Sequence, residues 1–314
     1  MKLRIATRQS PLALAQTRWI TKLLLASDES LEIEELLITT QGDQRQDEAL
    51  WQVSGKALFV SELETAILED RADIAVHSMK DLPSVLADGL QIACVPSRED
   101  PRDALIARDG TELEGLEAGS KVGTSSLRRM VQLRRVRPDL NYVPIRGNVD
   151  TRLRKLDQGD YAAIVLAVAG LRRLGITDPR IRPIPRELSI PAVGQGAIAI
   201  EARSAQTEVL EVLRPLEDQI TRMEIEAERA FAQRLGVDCH VPVAAHASSQ
   251  ANGQQLRLDA MVASTTEHRI ISSGTCQQVL VAHAHERYVH AQRIGDELAE
   301  TMINQGAAEL IAKG

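Results

Sequence analysis

Two short segments of the chain join a helix start to arginine, a combination that suits the binding of an anion. In the first, Ser10 is a favourable N-cap residue and Pro11 fits the first helical position. Arg8 lies just before this start, where free backbone N–H groups and the helix dipole already favour negative charge. The pattern predicts a carboxylate or phosphate site. Helix capping without a ligand explains the same residues and is favoured for either segment alone.

The second segment, residues 123–126 (Gly-Thr-Ser-Ser), follows a predicted strand and opens a helix whose first turn carries Arg128 and Arg129. Hydroxyl groups, backbone amides and two guanidinium groups would converge there on one anion. Arginine suits this role because its planar fork binds a carboxylate through two parallel hydrogen bonds. Two such segments in one chain strengthen the prediction of an anionic ligand.

Asp81 is a candidate for acid–base or electrostatic chemistry. It lies in residues 77–83, which end a predicted buried strand and turn at Pro83. Loops beyond strand ends are where open α/β sheets place their ligands. Taken alone, however, Asp81 is better explained as a carboxylate that stabilises the turn.

The three cysteines, Cys94, Cys239 and Cys276, are far apart and lack the spacing of metal ligands. Their odd number argues against a disulfide framework and fits a reducing compartment. Cys94 lies in an apolar run and is predicted to belong to the core. Cys239 has polar neighbours, Asp238 and His240, and the histidine could assist thiolate formation. A buried small hydrophobe is the alternative for Cys239.

Charge and composition exclude several classes of function. The formal net charge is −7, which argues against a general affinity for nucleic acid or acidic membranes. Aromatic residues make up 2% of the chain, too few for the stacking platforms of single-stranded nucleic-acid binders. The N-terminus lacks the apolar region of a signal peptide, and no apolar run approaches the length of a membrane span. We therefore expect a cytoplasmic protein.

Positive charge is nevertheless concentrated in one region. Nine Lys or Arg residues occur between residues 128 and 155, against two acidic residues. A basic segment on an acidic protein suggests a specific anionic ligand, and a solvated helix face is an equally weighted alternative. For Arg134, Arg135 and Arg137 the solvated face is favoured.

Short apolar runs alternate with segments of helical period, which is typical of a mainly parallel α/β protein. A chain of 314 residues is long for one core and predicts two or three domains. Residues 193–196 are predicted to form an irregular crossing, and the last third is predicted to be a smaller α+β unit that ends in helices up to the C-terminus. Strands are predicted at 3–6, 31–39, 73–77, 90–95, 121–123, 161–167, 241–247, 256–264 and 269–273, and helices at 11–25, 57–69, 126–136, 148–157 and 219–235.

Several stretches, in consistent order and nearly end to end, resemble the porphobilinogen deaminase (hydroxymethylbilane synthase) family. They are RIATRQSPLALAQ (4–16), GKALF (55–59), ADIAVHSMKDLP (72–83), REDPRDA (98–104), VGTSSLRR (122–129), IRGNVDTRL (145–153), LAVAGLRRL (166–174), PAVGQGA (191–197), AERA (227–230) and DCHVPV (238–243). The chain departs from the family's usual glycine at Ala57 and often at Asp150. Around the cysteine it has Asp238 and His240 where the family commonly has glycine and glutamine, and the thiol is retained.

The resemblance implies a transferase of tetrapyrrole, porphyrin and heme biosynthesis. Such an enzyme joins four porphobilinogen molecules head to tail into hydroxymethylbilane and releases four ammonia molecules. It also implies a dipyrromethane cofactor, bound through a thioether to Cys239, from which the chain grows. No metal or nucleotide is implied, and a monomer is expected.

The implied fold is α/β with three domains. Two are mixed-sheet domains like type II periplasmic binding proteins, joined by hinges, and the third is a small C-terminal α+β domain carrying the cysteine. The boundaries implied are 1–96 with 197–216 for domain 1, 102–190 for domain 2, 217–314 for domain 3, and 97–101 and 191–196 for the hinges.

The family assigns the catalytic role to Asp81. Loss of the aminomethyl nitrogen leaves an electron-poor azafulvene cation, and a carboxylate beside the pyrrole N–H groups would stabilise that charge and could move protons. The charge of Lys80 should favour the ionised carboxylate. Arginines would hold the acetate and propionate groups. The cofactor- and substrate-binding residues implied are Arg8, Ser10, Lys56, Ser78, Lys80, Thr124, Ser125, Ser126, Arg128, Arg129, Arg146, Gly147, Arg152, Arg173 and Gln195.

Two functions of other classes compete with the enzyme. A solute-binding module of the periplasmic type would use the same hinged domains, but it predicts a secretion signal and gives the Cys239 loop no role. A nucleic-acid-binding function rests on the basic segment alone. The intact mass of the purified protein distinguishes them, since a covalent dipyrromethane supports the enzyme and neither rival.

Overall fold

The computed structural model describes residues 1–44, 59–237, 241–250, 253–265, 269–281 and 283–312. Its strands are β1 (Lys2–Arg8), β2 (Glu32–Ile38), β3 (Ile74–Ser78), β4 (Leu90–Cys94), β5 (Asp103–Ala107), β6 (Lys121–Gly123), β7 (Asn141–Val143), β8 (Ala163–Ala167), β9 (Ile181–Pro183), β10 (Ile198–Arg203), β11 (Val243–Gln250), β12 (Gln255–Ala263) and β13 (Ile270–Gln278). Its helices are α1 (Pro11–Ser27), α2 (Gln41–Gln44), α3 (Ser61–Leu68), α4 (Leu127–Val136), α5 (Val149–Asp157), α6 (Val168–Arg173), α7 (Thr207–Leu213), α8 (Gln219–Leu235), α9 (Ala284–Asn304) and α10 (Ala307–Ala312).

The first sheet has the order β2-β1-β3-β10-β4. Strand β1 runs parallel to β2 and β3, whereas β10 runs antiparallel to β3 and β4. Its core includes Leu3, Ile5, Ile74, Ile198 and Ile200, all fully buried. Because β10 follows the second sheet in sequence, the chain leaves the first sheet after β4 and returns to complete it.

The second sheet has the order β7-β6-β8-β5-β9. Strand β6 runs parallel to β7 and β8, and β5 runs antiparallel to β8 and β9. All five residues of β5 are buried, as expected for a strand covered on both faces. The prediction of two mixed-sheet units is confirmed.

The third unit is smaller and is α+β, as predicted. Strands β11, β12 and β13 form an antiparallel sheet, and α8 and α9 pack together beside it. Asp218 caps the start of α8 by accepting a hydrogen bond from the Thr221 amide at 2.7 Å, and Gly236 ends the helix at φ 66°. At Gly295 of α9 a Cβ atom would lie 2.2 Å from a carbonyl oxygen of α8, so only glycine permits this approach.

Two segments connect the sheets: residues 95–102 between β4 and β5, and residues 184–197 between β9 and β10. These connecting segments contact each other directly. The Glu99 amide donates to the Gly196 carbonyl at 3.0 Å. Gly196 has φ +91°, and a Cβ there would lie 2.4 Å from the Glu99 carbonyl oxygen. A side chain at this position would therefore separate the segments.

Glu228 of α8 joins the third unit to both connecting segments. Its fully buried carboxylate accepts from Arg98 Nη1 at 2.7 Å, from the Gly194 amide at 2.6 Å and from the Ala247 amide at 2.8 Å. Burial alone would raise the pKa of Glu228, but Arg98 and His246 outweigh it and lower that pKa to about 2. The carboxylate is ionised at neutral pH and fixes α8 against the connecting segments.

Candidate active site

A cavity of about 610 Å³ lies between the first and second sheets. Most of its wall comes from the β1–α1 turn, the end of β3, the start of α5, the β8–α6 junction and the connecting segment before β10, and Arg129 of α4 and Phe59 also line it. The cationic side chains of the wall are Arg8, Lys80, Arg129, Arg146, Arg152 and Arg173, and Asp150 is the one carboxylate among the described residues that line it. Such a wall suits a ligand that carries several carboxylates.

On the first-sheet side, the turn from β1 into α1 is built as the sequence predicted. Ser10 caps α1 by accepting a hydrogen bond from the Ala13 amide at 3.2 Å. The Arg8 guanidinium lies over the Phe59 ring, 4.1 Å from its centroid. Across the cavity floor, Gln16 Nε2 donates to Ser78 Oγ at 2.8 Å, which ties α1 to the end of β3.

Lys80 and Asp81 lie in the single 3₁₀ turn that follows β3. Burial lowers the pKa of Lys80 to about 8, although the neighbouring Asp81 opposes that change and Arg129 adds to it. Both residues are half-buried. Lys80 is one of the described residues that line the cavity, whereas Asp81 is not.

Arg128 and Arg129, at the start of α4, share one buried carboxylate. Asp103, the first residue of β5, accepts from Arg128 Nη1 at 2.8 Å and Nη2 at 3.0 Å, and from Arg129 Nε at 2.8 Å. Arg129 also donates to the Val165 carbonyl at 3.0 Å. Arg129 lines the cavity and Arg128 does not. Burial would raise the pKa of Asp103, but the two guanidinium groups lower it well below its usual range.

The start of α5 supplies a second group of predicted ligands. Asn148 caps the helix by accepting from the Thr151 amide at 2.9 Å. Arg152 Nε donates to the Gly147 carbonyl at 2.8 Å, so this arginine folds back over the turn that carries Arg146. Burial, then the charges of the neighbouring arginines, lowers the pKa of Arg152 to about 10. The start of α5 lines the cavity together with Arg146 and Arg152.

Arg173 and Gln195 stabilise the connecting segment before β10. Arg173 Nη2 donates to the Gly196 carbonyl at 2.7 Å, and burial lowers the pKa of Arg173 to about 10. The Gln195 amide donates to the Pro101 carbonyl at 2.7 Å and to Asp103 Oδ1 at 2.9 Å. The side chain of Gln195 is thus used to hold the two connecting segments together.

The remaining predicted residues do not share the cavity wall. The hydroxyl of Thr124 accepts from the Ser126 amide at 3.2 Å, Ser125 Oγ donates to the Ile145 carbonyl at 2.5 Å, and Ser126 caps α4. All three serve local structure around the start of α4. Lys56, Ala57, Asp238, Cys239 and His240 lie outside the described residues.

Two fully buried carboxylates that support the site and the connecting segments, Asp103 and Glu228, are not predicted from the sequence. Asp103 stands inside the stretch REDPRDA and Glu228 inside AERA, and the sequence pattern assigns neither residue a role. The signal that could have pointed to Asp103 is a single acidic residue opening the apolar run ALIA. A carboxylate there needs cationic partners if the run is buried.

Two family models match the chain. The model described as porphobilinogen deaminase, dipyromethane cofactor binding domain, matches residues 3–211, and the porphobilinogen deaminase C-terminal domain matches residues 222–304. A Sorangium cellulosum protein curated as porphobilinogen deaminase is 50% identical over 82% of this chain and 85% of its own. A protein of the same name from Syntrophotalea carbinolica is 43% identical over 99% of this chain and 95% of its own.

Among solved structures, a Salmonella typhimurium periplasmic binding protein with high arginine specificity superposes with a TM-score of 0.39 at 11% identity, over 70% of this chain and 93% of that one. Within the described ranges, no helix combines the length and apolar character that a membrane span requires. Those ranges also contain no group of three or more His, Cys, Asp or Glu side chains placed to hold a metal ion.

Proposed function

The chain belongs to the porphobilinogen deaminase family, and on that premise we propose which of its residues carry each part of the reaction. It is an enzyme of tetrapyrrole and heme biosynthesis, a transferase that joins four porphobilinogen molecules into hydroxymethylbilane. Its cofactor is dipyrromethane. The alternative, a solute-binding module without catalysis, gains no support from the family match.

The observation that carries the residue assignment is the charge of the cavity wall. Six cationic side chains surround the cavity and one carboxylate lines it among the described residues. Each pyrrole unit carries an acetate and a propionate, so the wall matches both a bound dipyrromethane and its extensions. Arg8, Lys80, Arg129, Arg146, Arg152 and Arg173 are the proposed carboxylate ligands.

Each addition breaks the C–N bond of the aminomethyl group, releases ammonia, forms a C–C bond to a free pyrrole α-carbon and removes the proton of that carbon. When bound, dipyrromethane supplies the first such α-carbon. Asp81 is the proposed catalytic residue: its carboxylate accepts pyrrole N–H hydrogen bonds and opposes the positive charge that develops as ammonia leaves. Lys80 lies beside it in the same 3₁₀ turn, and the charge of Asp81 raises the pKa of Lys80 against the effect of burial.

Serine and threonine at the start of α4 have a different proposed role. The hydroxyl groups of this turn form hydrogen bonds within the local structure that carries Arg129; they belong to Thr124, Ser125 and Ser126. They position that arginine and leave carboxylate binding to it. Ser10 acts in the same way for Arg8, and Gln16 holds Ser78.

We further propose Cys239 as the site of thioether attachment, with Lys56 as an additional ligand. Cys239 follows α8 in the sequence, and Glu228 fixes that helix against the connecting segments. The proposed domains are 1–96 with 197–216, 102–190 and 217–314, with hinges at 97–101 and 191–196, and sheet membership supports this division. We propose a cytoplasmic monomer that binds neither nucleic acid nor membranes.

Intact mass spectrometry tests the attachment. The wild-type protein should carry the added mass of two condensed porphobilinogen units. Cys239→Ser should fold, lack that mass and show no sustained synthesis, because a serine hydroxyl is a far poorer nucleophile at neutral pH. The exposed Cys276 provides the matched control, and Cys276→Ser should keep the added mass. An added mass that survives in Cys239→Ser would place the anchor elsewhere.

A further inference from the structure

We propose that Asp103 is a positioning residue of this enzyme: it holds Arg129 in the cavity wall and limits the positive charge that the wall presents. The inference rests on the proposed role of Arg129 as a carboxylate ligand. Asp103 does not itself line the cavity, yet Arg129 and Gln195, which do, both bind it.

The contacts of Asp103 come from three parts of the chain. Arg128 and Arg129 come from α4, Gln195 from the returning segment, and Ser189 Oγ donates to Asp103 Oδ2 at 2.8 Å. The carboxylate is fully buried, and its own backbone begins β5. One carboxylate therefore sets the position of a wall arginine relative to the segment that reconnects the two sheets.

The same contacts set the local charge. Two guanidinium groups face one carboxylate, so the group carries one net positive charge in place of two. Arg129 directs both Nε and Nη2 to Asp103 Oδ1, each at 2.8 Å, and Nη1 to a carbonyl. This fork is held in one orientation and is 7% exposed. A carboxylate of the ligand would therefore bind an arginine whose orientation is fixed and whose positive charge is partly compensated by Asp103.

Asp103→Asn distinguishes positioning from structural support, because it should lower kcat/KM for porphobilinogen while strengthening inhibition by sulfate. The amide keeps the size of the side chain but removes the negative charge. The guanidinium of Arg129 then loses its orientation, and kcat/KM for porphobilinogen should fall by about tenfold to a hundredfold. The uncompensated charge should make inorganic sulfate a stronger inhibitor, by about threefold to tenfold in its inhibition constant.

Asp73→Asn is the matched control. Asp73 is also buried, and it accepts from the Arg4 amide at 2.7 Å and from Arg4 Nη2 at 2.8 Å, away from the cavity. It should lower the melting temperature and leave kcat/KM and sulfate inhibition unchanged. All three proteins are compared after loading with dipyrromethane, which intact mass verifies.

An unchanged or weaker sulfate inhibition in a folded Asp103→Asn would overturn the proposal, because a merely structural role weakens every ligand together. If Asp103→Asn does not fold, Ser189→Ala removes one donor and keeps the charge. It should lower kcat/KM by about threefold to tenfold, and a wild-type value would refute positioning. The role of Arg129 fails separately if Arg129→Leu elongates at the wild-type rate.

Discussion

The lowered pKa of Lys80 predicts an alkaline limit on activity. A lysine is charged below its pKa and neutral above it, and the pKa of Lys80 is about 8. The charged fraction should therefore fall from about 90% at pH 7 to about 10% at pH 9. Since a charge-assisted hydrogen bond to a carboxylate is worth about tenfold or more in affinity, kcat/KM should fall by about fivefold to ninefold over this range.

Lys80→Arg tests the assignment, because arginine stays charged throughout this interval. Its kcat/KM will start lower, since the guanidinium is bulkier, but the profile should be flat from pH 7 to pH 9. Initial rates on enzyme loaded with cofactor give kcat/KM for both proteins. The ionisations of porphobilinogen affect both equally, so the ratio of the two profiles isolates Lys80. A ratio that stays constant from pH 7 to pH 9.5 would refute the role assigned to Lys80.

Three further predictions follow from the site and the connecting segments. Asp81→Asn should slow each condensation by about 10²–10³-fold in single-turnover assays, while Asp81→Glu keeps measurable turnover; an Asn variant as fast as wild type would remove Asp81 from the mechanism. Arg129→Leu should impair cofactor assembly or early elongation far more than substitution of the exposed Arg135 by Leu. Equal and mild losses in both variants would mean that the basic segment only attracts the anionic substrate by its general charge. Glu228→Gln removes the fully buried partner of Arg98 at 2.7 Å and leaves this arginine the longer ion pair to Glu224 at 3.5 Å. The change should cost about 3 kcal/mol, and calorimetry should show a melting temperature lower by about 4–5 °C; an unchanged value would contradict this.

Signals that act within a few residues allowed much of the fold to be predicted. The helix predicted at 219–235 has those bounds in the structure, because its capping residues stand beside it in sequence. The start of α1 at Pro11 was predicted for the same reason. Strands β5, β7, β9 and β10 were not predicted. β7 and β9 are three residues long and mix polar with apolar residues, and β5 is a short apolar run without alternation; such segments are ambiguous until their neighbours in a sheet are known.

The contacts of the arginines could not be predicted from local patterns. Arg137 was expected on a solvated face, and that expectation is wrong. In the structure it donates to the carbonyl groups of Leu113, Glu114 and Leu116. The bond from Arg129 to Asp103 spans 26 positions in sequence. Helical period shows which residues share a face, but the burial of a charge depends on partners that only the tertiary fold supplies.

The return of β10 to the first sheet has a consequence for biosynthesis. Strand β10 lies between β3 and β4 and pairs with β3 through Ile198 and Ser78, so its place in the first sheet cannot be filled until the whole second sheet has left the ribosome. Until then β3 and β4 each expose an unpaired edge, a known source of misassociation. The second sheet, by contrast, is contained in one continuous stretch and can form first. Refolding of the full chain should therefore show early protection of amide hydrogens in β5, β6 and β8, with protection in β3 and β4 appearing later.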